Sequence, residues 1–281
     1  MSSVFRLRST VLLAIASACL AIAPAAVAQS YLGMDRNDYP GDANMQSLRK
    51  TFAFTGYWLN NPPGADGNSW QGKRSALQAM GYGFLILFNG REYKELKASG
   101  NAAGVGTRDA ATAARAANAE GFPKNAIIFL DQEQGGRMLS EQRAYIHAWV
   151  DGVVKAGYRG GIYCSGIAAR ESPKVSVVTA NDIRENAGKR EIHFFISNDQ
   201  CPPSPGCVYR ATAPSPGASG LAFAEVWQYA QSPRRPELTA ACRATYASDG
   251  NCFPPGVAAS SGLHIDIDVA SSPDPSSGRK R

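Results

Sequence analysis

The chain has 281 residues, 44% hydrophobic and 19% charged, the composition of a globular protein long enough for one large domain or two small ones. Arg6, Arg8, Arg279, Lys280 and Arg281, at the two ends, account for most of the formal net charge of +6, so the body is nearly balanced. No basic run interleaves with aromatics, which argues against nucleic acid as a partner.

In chain order, Arg6 and Arg8 precede the apolar stretch "VLLAIASACLAIA", and "AVA" at 26–28 supplies small residues before a cut, expected after Ala28. The stretch is shorter than the about 20 residues a membrane span needs, and no later segment is apolar enough. A cleaved export signal over 1–28 is expected, giving a secreted or periplasmic chain without stable membrane insertion. An uncleaved anchor and a lipoprotein signal at Cys19 are the alternatives.

Eight apolar runs follow, each of strand character: "YLGMD" (31–35), "FTGYWLN" (54–60), "GFLILFNG" (83–90), "AIIFLDQE" (126–133), "GGIYCS" (160–165), "EIHFFISND" (191–199), "AEVWQYA" (224–230) and "HIDIDVA" (264–270). Between them lie helix-favouring segments. One begins at Asp42, one runs from Ser69 to Gly81, and an alanine-rich one runs from near Thr107 to Gly121. Another begins at Ser140 and stops at Gly157, and a short one covers 179–188. Buried runs alternating with helices imply parallel strands, and eight such units match a (β/α)₈ TIM barrel over residues 29–271. An open doubly wound sheet is the alternative, but no G-x-G-x-x-G follows the first strand.

The late crossovers are weak. Segments 200–223 and 231–262 are rich in Pro, Gly and Ser, so the last helices are expected to be shortened or replaced by disulfide-pinned loops. In an exported chain nearby cysteines pair, and Cys201–Cys207 and Cys242–Cys252 are the expected bridges. Cys164, inside an apolar strand, is expected to be a buried free thiol. The cysteine spacings and the three histidines fit no zinc pattern, and neither metal nor cofactor is expected. The tail "SSPDPSSGRKR" reads as disordered over 272–281, and the chain as a monomer.

A barrel places chemistry at the C-terminal ends of its strands. Those ends carry Asp35, Trp58 and Asn60, Asn89, Asp131 and Glu133, Tyr163 and Ser165, Asn198 and Asp199, and Gln228 and Tyr229, with Asp266 and Asp268 in the last strand. Acids beside aromatic and amide groups suit sugars: rings stack on pyranose faces, and amides and acids bond hydroxyls. Asp131 and Glu133 share a strand face, and two acids so close titrate together. Glu133, longer and nearer the mouth, is expected to be the general acid, with Asp131 raising its pKa. Asp266 and Asp268, alternating with Ile265, Ile267 and Val269, also share a face.

"GMD" in the first strand, "DQE" in the fourth, "GIYCS" in the fifth, "VWQY" in the seventh and "IDIDV" in the eighth resemble the family 25 glycoside hydrolases. These are the Chalaropsis-type lysozymes, secreted barrels that cleave peptidoglycan between N-acetylmuramic acid and N-acetylglucosamine. The sequence is more similar still to a related glycoside-hydrolase-like family, first described as a domain of unknown function. The resemblance covers roughly residues 31–270. It implies that Asp35, Asp131, Glu133 and Asp266 occupy the acid positions, with Glu133, Asp131 and Asp35 catalytic. Asp131 would orient a 2-acetamido group. Asp266, Tyr163 and Trp227 would bind substrate, and Tyr57, Asn89 and Asp268 are expected to join them. Departures are "DRNDYPG" after the first strand, Asp268 where Asn is common, and Phe129 where chitinase-type barrels carry another Asp. The implied function is a secreted hydrolase of peptidoglycan or a related amino-sugar polymer. The alternative is a non-catalytic barrel of the same fold that binds cell-wall glycan.

Overall fold

A computed structural model describes residues 29–210 and 213–279, so the expected export signal lies outside the described residues. The strands are β1 (Tyr31–Asp35), β2 (Phe54–Trp58), β3 (Gly83–Asn89), β4 (Ile127–Asp131), β5 (Arg159–Ser165), β6 (Ala168–Ser172), β7 (Val175–Val178), β8 (His193–Ser197), β9 (Val226–Ala230) and β10 (Asp266–Ala270). The helices are α1 (Asp42–Leu48), α2 (Arg74–Ala79), α3 (Tyr93–Ala98), α4 (Ala102–Ala119), α5 (Ser140–Lys155), α6 (Thr179–Glu185) and α7 (Pro236–Thr239). Eight strands close a barrel in the spatial order β1, β10, β9, β8, β5, β4, β3, β2, and these are the eight apolar runs of the sequence. The strands β6 and β7 form a separate antiparallel hairpin after β5.

The barrel departs from an all-parallel one at its last strand: β10 runs antiparallel to both neighbours, β1 and β9. A parallel strand needs a crossover back to the opposite end of the sheet. Segment 231–265 contains only the four-residue α7 and short 3₁₀ turns, so the chain stays at the top, where β9 ends, and descends from there. The loops are pinned by Cys201–Cys242 and Cys207–Cys252, not by the local pairs expected. Each bridge joins the loop after β8 to the loop after β9, closing 41 and 45 residues of separation. Cys164 is free and buried.

Because β10 descends, the chain leaves it at the bottom of the barrel. Residues 272–279, expected to be disordered, pack there. Ser276 accepts from Ile86 N at its Oγ (2.9 Å) and from Ile127 N at its carbonyl (2.8 Å), filling the gap between the starts of β3 and β4. Asp274 Oδ1 accepts from Phe84 N (2.8 Å), and buried Arg74 donates to Gly278 O (2.7 Å).

The helices start where caps allow. Asn101 accepts from Gly104 N (2.9 Å), so α4 begins five residues before Thr107. At α5 the reciprocal bond comes from Gln142, whose Oε1 accepts from Leu139 N (3.0 Å). Small residues let α4 and α5 approach closely: a Cβ on Gly152 would lie 2.6 Å from Ala110. Inside the barrel, the Phe129 ring occupies the space beside Gly161, and Phe129 and Phe195 pack edge-on at 6.1 Å between centroids.

Candidate active site

At the top of the barrel a cleft of about 390 Å³ is lined by Asp35, Asp131, Glu133 and Asp266, together with Trp58, Tyr163, Phe195, Gln228 and Gln231 among others. The four acids come from β1, β4, the turn after β4, and β10. Asp35 and Asp266 are direct cross-strand partners. The reversal of β10 puts the first residue of that strand, rather than its last, at the top. Gly56 makes room for Asp35, since a Cβ there would stand 2.6 Å from the Asp35 Cβ.

Gln228 ties the acids together. Its Nε2 donates to Asp35 Oδ2 (2.8 Å) and Asp266 Oδ2 (3.3 Å), while its Oε1 accepts from Tyr163 Oη (2.8 Å) and Gln231 Nε2 (2.8 Å). Ser232 N donates to Asp266 Oδ1 (2.6 Å). The segment after β4 is held just as firmly. Gln134 Oε1 accepts from Tyr93 N (2.7 Å), Gly136 N donates to Thr179 Oγ1 (2.8 Å), and Met138 N donates to Asp182 Oδ2 (2.9 Å). Gly136, at φ +93°, turns the chain back toward α5. Glu133 therefore projects from a fixed support.

Burial shapes the protonation of the acids. Asp131 is pushed well above the usual carboxylate range, first by desolvation and then by the charges of Glu133 and Asp35. Asp266 and Asp268 are pushed well above it too, by desolvation and then by Asp35. Asp35 is raised by desolvation, opposed by the hydrogen bond from Gln228 and by the neighbouring Asp268 carboxyl. Glu133, at the exposed mouth, is raised by partial desolvation, opposed by Arg235, with a further upward push from Glu92. The expected coupling of the β4 pair thus acts in the other direction: the Glu133 charge raises Asp131, the more deeply buried of the two. Asp131 Oδ1 is buried without a protein hydrogen-bond partner.

Four of the expected residues lie outside the cleft lining. Tyr57 and Trp227 face away from the barrel interior. Tyr57 packs among Trp70, Phe84 and Phe122 and donates to Glu120 (2.6 Å). Trp227 packs on Tyr229 and donates to Asn198 O (2.8 Å). In each case the strand neighbour, Trp58 or Gln228, faces the cleft, because adjacent strand side chains point oppositely. Asn89 bonds the loop after β2, its Nδ2 donating to Asn61 O (3.0 Å) and its carbonyl accepting from Asn60 Nδ2 (3.0 Å). Asp268 is fully buried beneath the cleft, and neither of its carboxyl oxygens receives a hydrogen bond. Trp58 and Gln228, noted at strand ends but not assigned to the site, line the cleft, and Phe195 and Gln231 were not singled out by sequence reasoning. The signal for Gln228 is a lone amide between apolar neighbours in a buried strand, which demands a polar partner inside.

Two further depressions continue the cleft into a groove. One, of about 750 Å³, shares Asn37 and Pro63 with it and carries Asp38 and Asp66. The other, of about 700 Å³, shares Glu133, Tyr163 and Gln231 and adds Ser165, Ser197 and Arg235. Among the described residues no cluster of His, Cys, Asp and Glu is arranged to hold a metal ion.

Residues 56–192 match the profile of the Rv2525c-like, glycoside hydrolase-like domain, in agreement with the resemblance drawn from the motifs. Among solved structures, an uncharacterized protein of B. stearothermophilus is 20% identical with a TM-score of 0.53, over 85% of this chain and 95% of that one. The Mycobacterium tuberculosis Tat-secreted protein Rv2525c, in complex with L-tartrate, is 12% identical with a TM-score of 0.49, over 86% and 94%. The catalytic domain of endolysin ply40 from bacteriophage P40 of Listeria monocytogenes is 12% identical with a TM-score of 0.48, over 87% and 94%. At 20% identity the first of these shows a shared fold. No curated protein matches the chain in sequence.

Proposed function

Starting from a chain that carries an Rv2525c-like, glycoside hydrolase-like domain over residues 56–192, we propose that it hydrolyses a glycosidic bond in peptidoglycan or a related amino-sugar polymer. The observation that carries this reading is the convergence of Asp35, Asp131, Glu133 and Asp266 in one aromatic-walled cleft, in a groove open at both ends. Glu133 is the general acid. Desolvation raises its pKa, the direction a general acid needs, and its place at the mouth lets it protonate the glycosidic oxygen as the C–O bond breaks. Asp131 lies deeper, and its unpartnered Oδ1 would accept from a 2-acetamido N–H. Asp35 and Asp266, fixed by Gln228, stabilise the positive charge that develops on the sugar ring. Water then adds at the anomeric carbon, and Glu133 regains its proton. Two interlocked disulfides support a secreted or periplasmic setting, where such bonds persist.

The test is release of reducing ends from defined peptidoglycan. Glu133→Gln is expected to lower that rate by about 10²- to 10⁴-fold, the usual contribution of a general acid, with little change in melting temperature. Wild-type activity in that variant would remove Glu133 from the role.

One observation favours a second reading, a barrel that binds wall glycan without cutting it. Desolvation favours the protonated forms of Asp131, Asp266 and Asp268; neutral carboxyls donate well to sugar hydroxyls but stabilise positive charge poorly. Binding to insoluble peptidoglycan with no reducing ends released between about pH 4 and 8 would select this reading.

A further inference from the structure

The groove is electrostatically lopsided. Its central cleft is lined by four carboxyls, and one arm adds Asp38 and Asp66. The other arm, beyond Glu133, is lined by Tyr163, Ser165, Ser197, Gln231 and Arg235. Among the described residues lining the cleft and both arms, Arg235 is the one cationic side chain. Its position is set from below. An Nη donates to Asp199 Oδ1 (2.7 Å), and Asp199 is completely buried at the end of β8. The flanking loops are clamped to one another by Cys201–Cys242 and Cys207–Cys252. The Arg235 side chain is nonetheless 43% exposed along the arm, beside two serine hydroxyls and an amide.

A neutral polysaccharide needs no such cation. An anionic one would find a fixed cation only where Arg235 stands among the described lining residues. A planar guanidinium held in place by a buried carboxylate suits a second carboxylate, through charge-assisted hydrogen bonds of fixed direction. We infer that Arg235 is a specificity-determining residue that recognises a carboxylate borne by the sugar next to Glu133, so that the groove selects acidic amino-sugar glycans over neutral ones of the same backbone. This rests on reading the cleft as a glycan site.

The test compares two soluble ligands of equal length by calorimetry. One is an oligosaccharide of alternating N-acetylglucosamine and N-acetylmuramic acid, whose lactyl group carries a free carboxylate. The other is the chitooligosaccharide, which lacks it. The wild type is expected to bind the acidic ligand more tightly, by a margin that shrinks as salt is added. Arg235→Ala should lose about 10- to 100-fold more affinity for the acidic ligand than for the neutral one, the range of a hydrogen bond to a charged group. Arg235→Lys should keep part of the preference. Removing Arg235 alone strands the buried Asp199 charge, so the paired substitution Asp199→Asn with Arg235→Gln provides a folded variant in which the preference should also vanish.

Arg235 also holds the Glu133 pKa down. Its loss should therefore move the alkaline limb of any hydrolysis profile upward for both substrates alike, leaving their ratio as the separate reading of recognition. Equal loss for both ligands, no wild-type preference, or no binding of either would overturn the assignment. Retained carboxylate preference without turnover would sink the hydrolase reading and leave this one standing. Turnover without preference would do the reverse.

Discussion

Gln228 illustrates how much one strand position decides. The pair "WQ" in β9 offers an aromatic and an amide, and only one can face the barrel interior. Motif resemblance favours the aromatic, Trp227, but the fold turns Gln228 inward, where it bridges Asp35 and Asp266. The same parity replaces Tyr57 by Trp58 in β2. Gln228→Leu would leave the buried Asp35 oxygen and the Tyr163 hydroxyl short of a partner. It is expected to cost about 1–3 kcal/mol of stability in denaturant titrations, as for other stranded polar groups. An unchanged midpoint would mean that the amide does not tie these groups together. The acids themselves were legible in the sequence, because a carboxylate ending an apolar run has few structural uses. Which neighbours serve them was not legible, because strand parity depends on where each strand enters the sheet.

The apolar runs specify the eight barrel strands, but not the direction of the last. Direction follows from the connection, and segment 231–265 has no helix long enough to return the chain to the bottom. The reversal has two effects: Asp266 comes to the cleft from the start of β10, and the C-terminal segment is delivered under the barrel. There its polarity, which reads as disorder in isolation, satisfies strand ends that would otherwise face no partner. Ending the chain at residue 271 would strip Phe84 N, Ile86 N and Ile127 N of their acceptors. At about 1–3 kcal/mol for each unsatisfied buried group, the truncated protein should melt several degrees lower. Ser276→Ala should lose about a third of that effect, since it removes only the Ile86 acceptor. A truncated chain with the full-length melting temperature would show that the tail contributes nothing.

For the molecule as a whole, the buried acids dictate an unusual pH dependence. Asp35, Asp131, Glu133, Asp266 and Asp268 all have folded-state pKa values raised, mainly by desolvation. Above the unfolded carboxylate pKa of about 4, the fold keeps protons that the unfolded chain has released. Their contribution to stability is therefore complete below that pKa and is lost as pH rises through the raised folded values. Melting temperature should fall from mildly acidic toward alkaline pH. Asp268→Asn, which removes a fully buried acid whose two oxygens receive no hydrogen bond, should flatten that decline and stabilise the fold at alkaline pH. A melting curve series with the same slope in both proteins would contradict this origin.

Composition, periodicity and the polar ends of apolar runs were enough to determine an eight-stranded barrel, its eight strands and the four acids of its cleft. These are local properties: hydrophobic burial selects the strands, and charge at a strand end is visible residue by residue. Only the tertiary structure decided the rest. It crossed the disulfides between two loops, reversed β10, folded the tail under β3 and β4, and chose Gln228 and Trp58 over Trp227 and Tyr57. It also brought Arg235 and Asp199, 36 residues apart in the chain, to one arm of the groove. Each of those outcomes depends on closing long loops, and the free energy of such closure is set by what the distant partner offers, which no local stretch of sequence contains.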